Sequence, residues 1–405
     1  MVARCLVRLF GAFLVVCALV PRLSSGVEAA SSLVAYVQSG DVYVVHADGT
    51  GRQRLSTYGL NSGAVLGPNQ RVVAFLSVPA AYKGRTGVHN VWLAPVDGTN
   101  AQRITEPDAA RDRFGLTWSP DGQYLAYWHG TDVVVYDMQA ATARVVLQGV
   151  SHDPYGEPTI AWSPDSRRIA VAETPALTSD ASKPSTLPVL VVPATGGSEQ
   201  TVVVRFPGTA VNNLGPGRGS LVLDTGISWT KDGSAFLLVT SGAGEGFPLS
   251  GIWRVPAGGG LATLIEAGNR VGPAQGGSTP DLAFVGALNV AMSPDFGSIA
   301  LLARNALYVV PATGNVRITS PAINSGVCEM TSYHWLSDSR GIAYTEACGR
   351  VANQHLTYDL QLRVGDRAGG PTRLLAALSA ADPEALLLLQ HDTCLNGCSG
   401  TATMG

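Results

Sequence analysis

The sequence predicts an all-β fold, a β-propeller of four-stranded blades, and three observations predict it. An apolar strand, a Ser-Pro-Asp-Gly corner and a second apolar strand run from Leu116 to Tyr127 as LTWSPDGQYLAY. Weaker copies recur at Ile160–Ser166, Ile227–Gly233, Val290–Phe296 and Tyr333–Ser339, with a worn one at Leu66–Asn69. The corner residues 69, 121, 165, 232, 295 and 338 are 52, 44, 67, 63 and 43 residues apart. The shortest of these intervals fits the ~40–45 residue period of a four-stranded blade, and the surplus is loop. Abundant turn formers complete the case, with 47 Gly and 24 Pro in 405 residues.

Each corner has a local reason. Pro120 presets φ at the first central position of a tight turn, Asp121 can accept from its own downstream backbone, and Gly122 tolerates the positive φ needed where the second strand begins. The first unit, Leu33–Ser56, lacks a corner in front of it and reads as three strands. Asn90–Gly98 and Gln102–Thr105 match its later half, Asp41–Gly49 and Gln53–Ser56. The repeat is therefore a four-stranded meander, A to D. Further units span Leu116–Leu147, Thr159–Val204, Gly226–Ile265, Leu288–Thr319 and Thr331–Leu375. Six corners and the headless first unit make seven blades. The apolar run 384–390 is expected to supply the missing innermost strand and close the ring, which protects sheet edges. Were that run a terminal helix instead, the first blade would keep three strands or the count would fall to six.

The first 29 residues read as a signal peptide. Arg4 and Arg8 precede an apolar run, Leu9–Val20, that is too short for the ~20 residues of a membrane span. Cleavage after Ala29 is expected, with no stable membrane insertion afterwards. Domain bounds follow as 1–29 for the signal peptide, 30–391 for the propeller and 392–405 for a C-terminal tail. Losing residues 1–29 removes three Arg and one Glu and moves the formal charge from −3 to −5. With 24 Arg, 3 Lys and no basic run, nucleic acid is excluded as a partner, because phosphate neutralisation needs a clustered positive face. A monomer in the periplasm, cell envelope or extracellular space is the expectation.

Four of the six cysteines lie outside the leader: Cys328, Cys348, Cys394 and Cys398. An even count in an exported chain favours disulfides. Cys328 and Cys348 each stand ten residues from Asp338, so they face each other across the last hairpin, and a 328–348 bridge is predicted. Cys394 and Cys398 bracket an Asn-Gly turn and are predicted to pair with each other. The competing reading, a metal site, lacks a His pair with ligand spacing, so no metal and no cofactor is expected.

The long connections fall on one side. In a meander ring the A–B and C–D turns share one rim and the B–C and D–A connections share the other. The long segments Pro79–His89, Pro175–Pro188 and Gly349–His355 are B–C connections, and Val150–Pro158, Phe206–Asp224 and Gly268–Ala287 are D–A connections. A rigid scaffold with long loops on one rim is a common arrangement for binding. The polar group His152, Asp153, Tyr155 and Glu157 in one of those loops could bind a cation or do acid–base work. Arg218, in Leu214–Ser220, offers an anion-friendly glycine loop without the following helix that a phosphate loop requires. As against that, His152–Glu157 also reads as a plain turn and 214–220 as a plain connector. His46 and His334 sit in strand patterns and read as structural. Asp48 and Asp97 read as hairpin-turn residues rather than calcium ligands. Trp92, Trp118, Trp162, Trp229, Trp253 and Trp335 recur at equivalent strand positions as core.

Together, Trp-Ser-Pro-Asp-Gly followed by Leu-Ala-Tyr, and Asp-Val-Tyr-Val-Val with Ala-Asp-Gly-Thr-Gly and Arg-Leu-Ser, make a unit similar to the repeat of the TolB family of exported β-propellers. The resemblance covers nearly all of the chain after the leader. It implies an exported scaffold that binds other envelope proteins. TolB itself carries a small N-terminal domain, whereas the repeats here begin at Leu33, so roles tied to that domain are not implied. Similar repeats form the regulatory propellers of prolyl-oligopeptidase-type peptidases, but the hydrolase elbow Gly-Xaa-Ser-Xaa-Gly does not occur. The expected function is non-catalytic binding of an envelope or extracellular protein, peptide or glycan through the long-loop face. The alternative is a propeller hydrolase or lyase with its site at the channel mouth.

Overall fold

The computed structural model describes residues 32–57, 59–83, 87–108, 111–151, 159–173, 186–206, 221–242, 251–267, 290–303, 306–312, 323–324, 328–352 and 355–378. Their strands form seven sheets taken in chain order, a seven-bladed β-propeller. The first blade contains Leu33–Gln38, Asp41–His46 and Gln53–Arg54, and the second Asn61–Leu66, Val72–Ser77, Asn90–Pro95 and Gln102–Arg103. The third contains Arg113–Trp118, Tyr124–His129, Asp132–Asp137 and Thr142–Leu147; the fourth Ile160–Trp162, Arg168–Ala172, Thr186–Pro193 and Gln200–Arg205. The fifth contains Leu221–Trp229, Ala235–Gly242, Gly251–Pro256 and Thr263–Ala267; the sixth Val290–Met292, Ser298–Ala303, Ala306–Pro311 and Ile323–Asn324. The seventh contains Glu329–Trp335, Gly341–Ala352, His355–Asp366 and Arg373–Leu378. In blades two to seven these are strands A to D, and the A strands of successive blades touch one another along the inside of the ring.

The corners form as their residues dictate. The Ser119 hydroxyl donates to Asp121 at 2.7 Å and accepts from the Tyr124 amide at 2.9 Å, while Asp121 also accepts from the Gln123 amide. Ser163–Asp165, Thr230–Asp232 and Ser293–Asp295 repeat the arrangement. The hydroxyl of Thr230 and the amide and hydroxyl of Ser234 hold the Asp232 carboxyl down at about 2. The residue after each corner Asp or Asn takes a left-handed φ, 70° at Gly122 and 65° at Gly233, but 56° at Gln70, 60° at Ser166 and 58° at Ser339.

A non-glycine residue there is costly by roughly 1–2 kcal/mol, and three of these side chains make up for it by reaching the preceding blade. Gln70 accepts from the Leu33 amide, Ser166 from the Asp121 amide and Ser339 from the Asp295 amide. Ser166→Ala would keep the strain and strand an amide. It is expected to lower the urea unfolding free energy by about 1 kcal/mol, whereas a change within 0.2 kcal/mol would mean the bond contributes nothing.

A second set of inter-blade bonds comes from tryptophan. Trp118, Trp162, Trp229 and Trp335 occupy the same place on strand A, and each indole N–H donates to a strand-A carbonyl of the preceding blade: Val65, Thr117, Ala161 and Ala291 respectively. Trp92 and Trp253 do not share that position. They lie on strand C, facing Phe75 and Phe206, because both strands carry an apolar alternation that sequence alone does not distinguish.

The core lies between blades rather than within them. Buried clusters join the first blade to the second through Val42, Val44 and Phe75, the third to the fourth through Trp128, Val135 and Ile169, and the fourth to the fifth through Val189, Phe206 and Trp229. The ring closes because Val34, Tyr36 and Val45 of the first blade pack on Leu336, Ala343 and Leu362 of the last. The Gln38 side chain adds a bond to the Ala377 carbonyl. The closing strand expected at 384–390 lies outside the described residues.

Two expectations are corrected. Gly349–His355 is not a long connection: Gly341–Ala352 and His355–Asp366 pair continuously as far as Ala352 opposite His355. Strand A of that blade begins at Glu329, opposite Ala347, so among the described residues the hairpin runs past it as a two-stranded ribbon. A ribbon without a third strand needs no apolar alternation, so its sequence resembles a loop. In addition, strands begin at Thr186 and Leu221, inside segments that read as connections. The fourth blade also gains an edge strand, Gly260–Leu261, running parallel to Gln200–Arg205.

Candidate functional site

The long-connection rim carries a hydrogen-bonded polar group where the second and third blades meet. Strand A of the third blade enters there through a bulge between Phe114 and Thr117. Gly115 makes the bulge with φ 63°, where an added Cβ would stand 2.8 Å from the Trp128 ring. Bulges re-aim side chains at the rims of closed sheets. This one leaves Arg113 opposite His129, which in turn lies opposite Asp132. A polar row thus crosses three strands at the edge of the ring.

Arg113 is the centre of the group. It is 6% exposed, and it donates to the His89 carbonyl at 3.1 Å. Burial weighs against its charge, and Tyr127, Asp108, Asp112 and Glu106 favour it. The same burial pushes the Tyr127 hydroxyl up to about 12, with Arg113 working against that rise. Two imidazoles flank the centre, each held by a carboxylate. His89 Nδ1 lies 2.8 Å from Asp112 Oδ1, and His129 Nε2 lies 2.9 Å from Asp108 Oδ2. Asp132 accepts from the Gly149 amide at 2.9 Å and pairs with Arg111 at 2.5 Å, which anchors the chain leaving the third blade. Arg111 is half exposed and Glu106 is mostly exposed.

These groups carry nearly balanced charge: Glu106, Asp108, Asp112 and Asp132 against Arg103, Arg111 and Arg113. Such a surface presents donors and acceptors rather than a strong field. The His–carboxylate pairs have the geometry of oriented general bases.

Burial raises the Asp112 carboxyl, but hydrogen bonds from the His89 ring, the Arg113 amide and the His89 amide outweigh it and hold the group below its usual value. A depressed folded pKa means stability that is present above the unfolded value of about 3.9 and is lost as pH falls through the folded one. The unfolding midpoint should therefore drop as pH falls below about 4, and Asp112→Asn should show a lower midpoint at pH 7 with a shallower acid slope. Parallel slopes in denaturant titrations would exclude this group as the cause.

The residues singled out by sequence are placed unevenly. His152, Asp153, Tyr155, Glu157 and Arg218 lie outside the described residues, as do Cys394 and Cys398. Asp48 and Asp97 each close a turn by accepting from the residue two ahead, Thr50 and Thr99. His334 lies on the innermost strand, open to solvent yet crowded enough by its neighbours that burial pushes its imidazole down.

Sequence reasoning missed the His89–Asp112 and His129–Asp108 pairs because their members are 23 and 21 residues apart. One signal was available: Glu106–Arg113 holds five charged residues in eight, in a chain that is 14% charged.

Cys328 and Cys348 are joined, as their spacing from Asp338 predicts. On the same strand as Cys348, Glu346 is buried, which pushes its carboxyl up, while Arg363 at 3.5 Å pulls it down.

No protein-family model and no curated protein matches the chain. Solved structures do. An oligogalacturonate lyase in complex with manganese aligns with TM-score 0.53 and 12% identity, over 85% of this chain and 84% of that one. The β-propeller domain of the trilobed protease from Pyrococcus furiosus, described as having an open velcro topology, aligns with TM-score 0.50 and 14% identity, over 87% and 94%. A putative TolB from Agrobacterium tumefaciens aligns with TM-score 0.37 and 15% identity, over 69% and 85%. At these identities the first two likenesses concern the propeller fold, and the third carries no further weight.

Proposed function

We propose that this propeller is an exported binding module that holds an envelope or extracellular protein, peptide or glycan on its long-connection rim. The observation that carries the proposal is the hydrogen-bonded polar surface around Arg113. It is fixed by bonds on both sides, close to neutral in sum, and on the same rim as the long connections. Rigid donors and acceptors of balanced sign suit a polar, weakly charged ligand, for which ordering costs at the site are already met. The resemblance of the repeats to TolB supports the same reading.

The test reverses the exposed charges while sparing the buried ones. Glu106→Lys with Arg111→Glu should lower recovery of cross-linked envelope partners by about tenfold or more, with an unchanged circular dichroism spectrum. Equal recovery by quantitative mass spectrometry would sink the rim as the contact surface.

A second reading rests on the His–carboxylate pairs. If the rim is a hydrolase or lyase site, Asp112→Asn and Asp108→Asn should abolish turnover of a glycan or peptide substrate while leaving its binding in place.

A further inference from the structure

The last blade contains a chemical grouping that the rim does not explain. Cys328 immediately precedes Glu329, and because Glu329 pairs with Ala347, Cys328 and Cys348 face each other directly. Glu346 lies two residues before Cys348, so its side chain projects from the same face of the strand. It is 5% exposed. One of its oxygens and the two sulfurs all lie within 4.8 Å of one another, and the two cysteines are only partly buried. The cation beside Glu346 is Arg363, and that guanidinium already donates to Thr372 and Gln361. A disulfide is neutral and donates no hydrogen bond, so it gives a buried carboxylate nothing in return for lost hydration.

We propose that reduction turns this corner into a metal site, in which the Cys328 and Cys348 thiolates and the Glu346 carboxylate bind one thiophilic divalent cation of the zinc class. A dithiol reductant delivers two electrons and two protons to the sulfur–sulfur bond and is itself oxidised to a disulfide. The two thiols then release their protons to solvent as the cation binds. Disulfide and metal are mutually exclusive states of one site.

The donor set fits the ion. Two thiolates and a carboxylate suit zinc, at about 2.3 Å for sulfur and 2.0–2.2 Å for oxygen, with the sulfurs about 3.8 Å apart around a tetrahedral centre. Side chains on directly paired strands can reach that separation by rotamer changes alone. Thiolate ligands disfavour magnesium and calcium. Three negative ligands are balanced by the divalent ion together with Arg363. A fourth position remains for water or for a side chain of a bound partner, and the partly exposed cysteines give the ion a way in.

The experiment uses the mature chain carrying Cys394→Ser and Cys398→Ser, so that Cys328 and Cys348 are its only thiols. The protein is reduced with a phosphine, freed of it, and titrated anaerobically with cobalt(II), reading the sulfur-to-cobalt charge-transfer absorption; zinc is then added to displace the cobalt. One equivalent should bind to the reduced protein and none to the oxidised. Glu346→Gln should weaken binding about tenfold or more, since even outer partners of metal ligands contribute that much. Cys348→Ser should remove the absorption. The proposal is overturned if the reduced protein shows no charge-transfer band, if Glu346→Gln binds as tightly as the unsubstituted protein, or if the reduced chain loses its β-sheet spectrum even with zinc present.

Discussion

Replacing Trp229 by alanine is expected to cost about 4–6 kcal/mol, the largest loss from any single substitution considered for this chain. The side chain is 1% exposed. It meets Phe236 edge-on with 4.5 Å between ring centroids, lies under the Arg168 guanidinium at 4.6 Å, and donates its N–H to Ala161 of the neighbouring blade at 3.1 Å. Truncating a buried aromatic residue costs about 3–5 kcal/mol through lost transfer energy and the cavity left behind. Leaving the Ala161 carbonyl without its donor adds about 1 kcal/mol. Trp229→Phe separates these contributions. It keeps most of the volume and loses the N–H with a small part of the ring, so its cost should be about 1–2 kcal/mol. Guanidinium unfolding followed by circular dichroism gives both values. Equal losses for the two variants would show that the hydrogen bond, and not the packing, holds this seam.

The second large effect concerns Cys328 and Cys348. The bridge closes a loop spanning 20 positions, and loops of that size contribute about 3 kcal/mol by restricting the unfolded chain. Replacing both cysteines by serine should lower the unfolding free energy by about that amount relative to the oxidised protein. In a chain that also carries Cys394→Ser and Cys398→Ser, the replacement should make the unfolding midpoint indifferent to reductant. If the serine variant and the oxidised protein unfold at the same midpoint, the bridge is thermodynamically silent.

What could be read in advance follows a physical pattern. The corners were legible because a β-turn is specified by adjacent residues: Pro120, Asp121 and Gly122 each act within two positions of themselves. The Cys328–Cys348 pairing was legible for a related reason, since a hairpin makes residues equidistant from its turn into neighbours. By contrast, the Arg113 group is assembled from a B–C connection, a D–A connection and the start of an innermost strand. Its members meet only because the blades stack, and no periodicity in the chain records that meeting. The ribbon ending at Ala352 and His355 failed for the opposite reason. Hairpins are usually recognised by a buried face, and a two-stranded extension has no third strand to demand one.

The tryptophan bonds around the inner strands have a mechanical consequence. They fasten the third blade to the second, the fourth to the third, the fifth to the fourth and the seventh to the sixth. At the matching place stand Leu66 in the second blade and Met292 in the sixth, and neither side chain has a proton to give. In a structure whose cohesion is a sum of neighbour-to-neighbour terms, a missing fastener marks where the circle gives way under tension. Pulled from its two ends, this molecule would part first at a seam without that fastener, before any of the four that carry it.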